Sequence, residues 1–349
     1  MNPSTLPPAL ESMAGVVANP AMADAGRASD GVPHAVLFDA DGTDREVAIE
    51  GIDLEALSER QLLWIDVRGA EAAACLEKLG LAAAVRCLEE GNGKPRLQNF
   101  GEWFVIQVVA VADAARMEFP GQAITLVVGR NFVVTVHREP LAYLEQLRDR
   151  ERADTRLGVL SAESFTASVL DWQMTTYFDA VAALESEVDH LEVELLTRPI
   201  HREHVPELAV LRRAASRLRQ LLAPHRIVYS AMARPDFRPD AGEDVEALLH
   251  GLNERFERAM AAVETARALV IGSFELFATR TAQRTNETMR VLTFVTVLLG
   301  TLAVLAGVLG MNFEAPIFRS GERGFLITIA LMVALVIVAL VVGRWRRWW

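Results

Sequence analysis

Residues 291–309 read VLTFVTVLLGTLAVLAGVL, nineteen positions without a charge, and lead directly into Gly310-Met311-Asn312. At 1.5 Å per residue, a helix of this length covers the roughly 30 Å of a bilayer's hydrocarbon. A second uncharged run, FLITIALMVALVIVALVV at 325–342, follows after a short connection. Core helices of soluble proteins usually carry a charged face at this length, and neither run has one. Both runs are therefore expected to be transmembrane helices, the second covering 325–343, with 310–324 as an external loop between them.

The flanking charges orient the pair. Arg280, Arg284 and Arg290 precede the first run, and Arg344, Arg346 and Arg347 follow the second. In the loop, Arg319 and Arg323 are offset by Glu314 and Glu322. Excess arginine at both outer ends predicts that both termini are cytoplasmic, in a cell (inner) membrane. Trp345, Trp348 and Trp349 make 344–349 a basic, aromatic tail suited to the interface. The chain carries a net charge of −11, and because the residues after 290 hold five Arg and two Glu, residues 1–290 carry −14. Such a domain repels nucleic acid, so no nucleic-acid partner is expected, and it attracts cations. Cys75 and Cys87 form neither a disulfide framework nor a zinc ribbon. No basic region followed by an apolar stretch opens the chain, so no cleaved signal peptide is expected.

Working back from the first span, no proline interrupts the chain between Gly242 and Leu309. A single stalk helix over 241–309 that continues into the membrane is expected, about 100 Å long. Before it, apolar residues at three- and four-residue steps predict a helix over Ser161–Leu196 and a second from Val205 to Ala233, a helical hairpin within 141–240. Short β-branched runs at 35–38, 62–67, 103–111, 123–128 and 132–136, with a helix at 71–79, predict an α/β domain over 34–140. Residues 1–33, rich in Pro, Ala, Gly and Ser, are expected to be disordered. The fold class is α+β: an N-terminal α/β domain, then a long helix running into the first of two C-terminal spans.

Two spans cannot enclose a water-filled path alone, so transport through them requires an oligomer. Gly310-Met311-Asn312 stands at the end of the first span and is preceded by Thr285-Asn286-Glu287-Thr288-Met289-Arg290-Val291-Leu292-Thr293. With Lys94-Pro95-Arg96-Leu97, Thr197-Arg198-Pro199 and Ala223-Pro224-His225-Arg226, these residues resemble the CorA family of magnesium channels, within the CorA/ZntB superfamily, over roughly 34–349. The resemblance implies a homopentameric channel, not an enzyme, with the first span lining the pore and Gly310, Met311 and Asn312 as its selectivity filter. It implies transported and regulatory Mg2+, with cobalt also carried, and no bound cofactor.

The implied chemistry is physically consistent. Magnesium sheds its water reluctantly and prefers an octahedron of oxygens, so a ring of Asn312 carbonyls suits the hydrated ion. Gly310 is expected to let the backbone turn, and Met311 to pack, since a thioether is too soft for magnesium. Asn286, Met289, Thr293, Thr296, Gly300, Ala303 and Gly307 recur on one helix face, and the resemblance makes that face the pore lining, with Met289 and Leu292 as apolar constrictions. Gly300-Thr301 and Ala303 depart from the Met-Pro and Thr usual in the family, which affects pore width. Glu314 matches an acidic position that concentrates cations outside the pore. Glu90 and Glu275 are the matches to a regulatory metal site between cytoplasmic domains.

His201 and His204 lie between Pro199 and Pro206 and read as an exposed linker rather than a zinc site. The arginines of 212–226 read as partners of acidic residues. Two rival readings stand beside the magnesium channel. One is a ZntB-like zinc transporter, suggested by Ala223-Pro224 with Arg226 and Tyr229. The other is a membrane-anchored cation sensor that transports nothing.

Overall fold

The computed structural model of the chain describes residues 33–41, 44–69, 71–112, 117–145, 161–199, 204–239, 242–311 and 321–345. Nearly all of the N-terminal segment 1–33 therefore lies outside the described residues. The chain divides into two compact units, 1–190 with 205–271, and 191–204 with 272–349.

The first unit is built on a seven-stranded sheet. Its strands are β1 (His34–Asp39), β2 (Arg45–Glu46), β3 (Gln61–Arg68), β4 (Arg96–Asn99), β5 (Phe104–Val111), β6 (Gly121–Val128) and β7 (Phe132–His137), in the order β2-β1-β3-β7-β6-β5-β4. Only β3 and β7 pair in parallel, with Ile65 opposite Val134; the other neighbours are antiparallel. Successive strand residues point to opposite faces. One face presents Leu37, Leu63, Ile65, Val105, Val127 and Val134 to α1 (Glu71–Lys78) and α2 (Ala82–Glu90), which contribute Cys75, Leu76, Ala84 and Val85. The other face meets α3 (Ala162–Thr197), where Trp64 lies 5.6 Å from Phe165. A sheet covered on both faces needs continuous apolar strands, and β5 is buried at every position.

The predicted helix from Val205 to Ala233 is interrupted. The chain forms α4 (His204–Leu222), a 3-10 turn at Ala223–His225, and α5 (Arg226–Met232). Pro224 has no amide to continue the ladder, and the turn it imposes places His225 in the interior. There His225 meets the open edge of β5. Strand β4 pairs only as far as Gln107, so beyond that residue the edge of β5 away from β6 takes its partners from helices. The Val109 amide donates to His225 Nε2 (2.8 Å), and the Val109 carbonyl accepts from Gln173 (2.6 Å) and the Tyr177 hydroxyl (2.9 Å). Tyr229 in turn donates to Gln173 (2.6 Å). The Ala223–Tyr229 motif is thus a clamp on the sheet edge.

Helix α6 (Glu243–Leu309) has 67 residues and contributes to both units. In the first, Arg255 pairs with Asp171 (2.9 Å), Glu264 with Arg219 (2.5 Å) and Glu257 with Arg226 (2.6 Å). Two of the arginines of 212–226 therefore do serve acidic partners. The second unit holds the rest of α6 and α7 (Gly321–Trp345). Ser273, fully buried, donates to Glu192 (2.7 Å). His204 is buried at the start of α4, which corrects the exposed-linker expectation for it; His201 lies outside the described residues.

Candidate functional site: the uncovered face of the first span

Within the second unit, α6 and α7 each include a stretch long and apolar enough to cross a membrane, and neither stretch is buried. Their partial burial is patterned. On α6 the half-buried residues are Phe294, Leu298, Leu302, Leu305 and Leu309, a stripe at steps of three and four. On α7 they are Gly324, Thr328, Met332, Leu335, Val336 and Ala339, ending in buried Gly343. Steps of three and four keep residues on one side of a helix. Each helix thus has one covered side and a wide exposed remainder.

The candidate pore residues belong to the exposed remainder. Asn286, Met289, Leu292, Thr293, Thr296, Gly300, Ala303 and Gly307 are all exposed on α6. At about 100° per residue, the centre of this face lies about 180° from the centre of the leucine stripe. The face has no charge, and its hydroxyls are oriented. Thr293 donates to the Met289 carbonyl (2.7 Å) and Thr296 to that of Leu292 (2.8 Å). With the proton directed along the helix, each oxygen offers the outside only lone pairs, which suits a cation. Above Thr296 the face carries no side chain larger than a methyl until Gly310, and a Cβ added at Gly300 or Gly307 would meet nothing within 4 Å.

The helix ends where the motif begins. The Gly310 amide donates to the Ala306 carbonyl (2.9 Å) and the Met311 amide to that of Val308 (3.3 Å). Gly310 does not adopt positive φ, which corrects the expected turn there, and a Cβ would meet only the Ala306 and Gly307 oxygens of its own last helical turn. Met311 is exposed, while Asn312 and Glu314 lie outside the described residues. Glu90 ends α2, exposed and paired with Arg96 at 3.4 Å. Glu275 is exposed on α6. Among the described residues, no group of three or more His, Cys, Asp or Glu side chains is placed to hold a metal ion. The leucine stripe was the signal the sequence reading passed over, although the spacing of Leu298, Leu302, Leu305 and Leu309 displays it.

Known proteins resemble this chain in sequence and fold. Residues 59–344 match the family model described as CorA-like Mg2+ transporter protein. The chain is 24% identical over 294 residues to the cobalt/magnesium transport protein CorA of Thermotoga maritima, covering 82% of this chain and 83% of that protein. It is 25% identical over 326 residues to the divalent cation transporter CmaX of Pseudomonas aeruginosa, covering 91% of this chain and 97% of the relative. The complete structure of the CorA magnesium transporter from Methanocaldococcus jannaschii superposes with a TM-score of 0.70 at 20% identity, over 89% of this chain and 97% of that one. That likeness shows the fold: a mixed α/β N-terminal part, a long helix and two apolar C-terminal helices. The family's members are transporters and not enzymes; the chain belongs to the CorA family and is a divalent cation transporter of the membrane.

Proposed function

We propose that five copies of the chain form a magnesium channel in the cell (inner) membrane, with α6 innermost and both termini cytoplasmic. The observation that carries this reading is the face of α6 opposite the leucine stripe. It is uncharged, exposed, and lined with hydroxyl acceptors and small residues up to Gly310. In a ring of copies that face closes on itself, and α7 lies outside it. Hydrated magnesium enters through a ring of Asn312 carbonyls with its inner waters in place, since the ion exchanges them reluctantly. Glu314 draws cations to the entrance, and Leu292 and Met289 form the narrow apolar end of the path. Cobalt, a small divalent ion that also accepts oxygen ligands, follows the same route. Glu90 and Glu275 bind intracellular cation and favour closure. The soluble domains over 34–140 and 141–240 lie in the cytoplasm.

The names of the relatives support magnesium and cobalt as cargo. Within Ala223–Tyr229, which resembles the zinc-transporting branch, His225 bonds the edge of β5 and Tyr229 bonds Gln173, a structural role that either cargo would allow. The test is uptake into proteoliposomes holding the purified chain, with magnesium and zinc in parallel and Asn312→Ala beside wild type. Magnesium uptake that follows the membrane potential and falls at least about tenfold in the variant is expected. Uptake of zinc alone would move the chain to the zinc-transporting branch. No flux of either ion from folded protein would leave a sensor.

A further inference from the structure

The end of the sheet where β5 and β7 finish carries a groove of about 500 Å³. Val111, Pro140, Ala142 and the indole of Trp172 line it, with Glu139 and Gln122 among them. Trp172 belongs to α3 and is held by a stack with Tyr143, the ring centroids 5.1 Å apart and the planes 15° from parallel. The ring is half-exposed. Its N–H, which can only donate, has no hydrogen-bond partner among the described residues. Gln122 donates to the Pro140 carbonyl (3.0 Å), which fixes one wall. The groove therefore offers an apolar surface and one unused donor, and it fits an occupant with apolar bulk and a free carbonyl.

A proline-rich segment has that chemistry. Each proline lacks an N–H, and polyproline II backbone leaves its carbonyls without internal partners. The fixed φ of proline also lowers the ordering cost of binding. Residues 1–10, MNPSTLPPAL, hold three prolines and no charged side chain. The segment 146–160, QLRDRERADTRLGVL, carries seven charges instead, which an apolar groove disfavours. Both segments lie outside the described residues. The chain also starts its fold in the right place. Strand β1 begins at His34, level with Asp66 of β3, at the same end of the sheet as Val111. Four strand spacings across and five residues along separate His34 from Val111, about 25 Å. Residues 11–32 reach up to about 70 Å when extended. A tether of that length gives an effective concentration on the order of millimolar, so a contact of low intrinsic affinity is occupied.

We propose that Leu6-Pro7-Pro8-Ala9-Leu10 docks in this groove of its own chain, with a proline ring against Trp172 and a backbone carbonyl accepting from the indole N–H. The docking does not depend on which ion is carried or on whether the chain transports one.

The test is disulfide trapping in the full chain, purified in detergent. Ala9→Cys is combined with Ala142→Cys in the groove or, as a control, with Ala56→Cys, an exposed position before β3. The native Cys75 and Cys87 are buried. After mild oxidation, a non-reducing gel separates bridges within one chain from bridges between copies, and peptide mapping identifies the linked pair. The groove pair is expected to bridge within one chain about fivefold faster than the control pair, or more. Adding Pro7→Ser and Pro8→Ser, outside the folded domain, is expected to bring the rate down to that of the control. Trp172→Phe keeps an aromatic ring and removes the donor, and is expected to slow bridging about threefold. Equal rates for the groove and control pairs would overturn the proposal. So would a rate unchanged by the two serines or by Trp172→Phe. Bridges formed only between copies would assign the groove to a second copy and overturn it as well.

Discussion

Val109 lies on β5 beyond the last residue paired with β4, and its amide needs an acceptor at that place. A neutral imidazole supplies it. His225 Nδ1–H donates to the Leu222 carbonyl (3.1 Å), leaving Nε2 to accept from Val109. Burial lowers the His225 pKa from 6.5 to about 4. An unfolded chain therefore binds one more proton than the native one between those values. The contribution of His225 is complete above pH 6.5 and is lost as pH falls toward 4, by on the order of 3 kcal/mol. His225→Phe removes the acceptor and leaves the Val109 amide unsatisfied, at a cost of about 1–3 kcal/mol near neutral pH. Urea melts of the detergent-solubilised protein are expected to show wild type more stable than the variant at pH 7.5, the gap narrowing at pH 5. A gap that widens on acidification would contradict this account of His225. The sequence displayed Ala223–Tyr229 as a motif, but its purpose was illegible there, because the partner amide is 116 residues away.

At the scale of the element, the two faces of α6 make opposite demands. Leu302 belongs to the covered stripe, so Leu302→Gln is expected to destabilise the pairing of the spans by about 1–3 kcal/mol and to lower the yield of assembled protein on size exclusion. Gly300 belongs to the open face, where an added Cβ meets nothing within 4 Å. Gly300→Leu therefore fits the single chain. In the proposed channel the same side chains would meet around the axis, and magnesium uptake is expected to fall about tenfold or more while assembly is unchanged. Loss of assembly with Gly300→Leu would place that face against lipid or α7 instead. Elements were legible where burial on both faces forced long β-branched runs, as in β3, β5 and β7. Strand β4, RLQN, was not: it is a half-exposed edge strand with one apolar residue, and its place depends on pairing with β5. Helix α2 was missed too, since its nine residues open on three alanines with no capping side chain at Leu81 to mark a start.

At the scale of the whole molecule, a pore needs several copies, and the account specifies five. Light scattering of the detergent-solubilised protein, corrected for bound detergent, is expected to give about 190 kDa for five copies of a 38.4 kDa chain. A monomer or dimer would remove the enclosed path and return the chain to a sensor. The architecture could be read from hydropathy and charge, because the bilayer imposes length and neutrality on any segment that crosses it. The meeting of residues from different copies around an axis leaves no such mark within one chain. The two carboxylates proposed to regulate the channel illustrate this: Glu90 is paired with Arg96 and Glu275 is exposed, and neither environment by itself marks a metal site.

The central claim is that the side of α6 opposite the leucine stripe faces the ion. Cysteine scanning across the two sides tests it most directly. Cys75 and Cys87 are buried, and burial raises both thiols above their ordinary pKa, so the native cysteines stay protonated and unreactive. Thr296→Cys and Leu302→Cys are each reconstituted, and magnesium uptake is measured before and after a positively charged, water-soluble thiol reagent. The account predicts that the reagent blocks uptake through Thr296→Cys and leaves Leu302→Cys and wild type unaffected. Block at Leu302→Cys with none at Thr296→Cys would turn the helix around and contradict the proposed path.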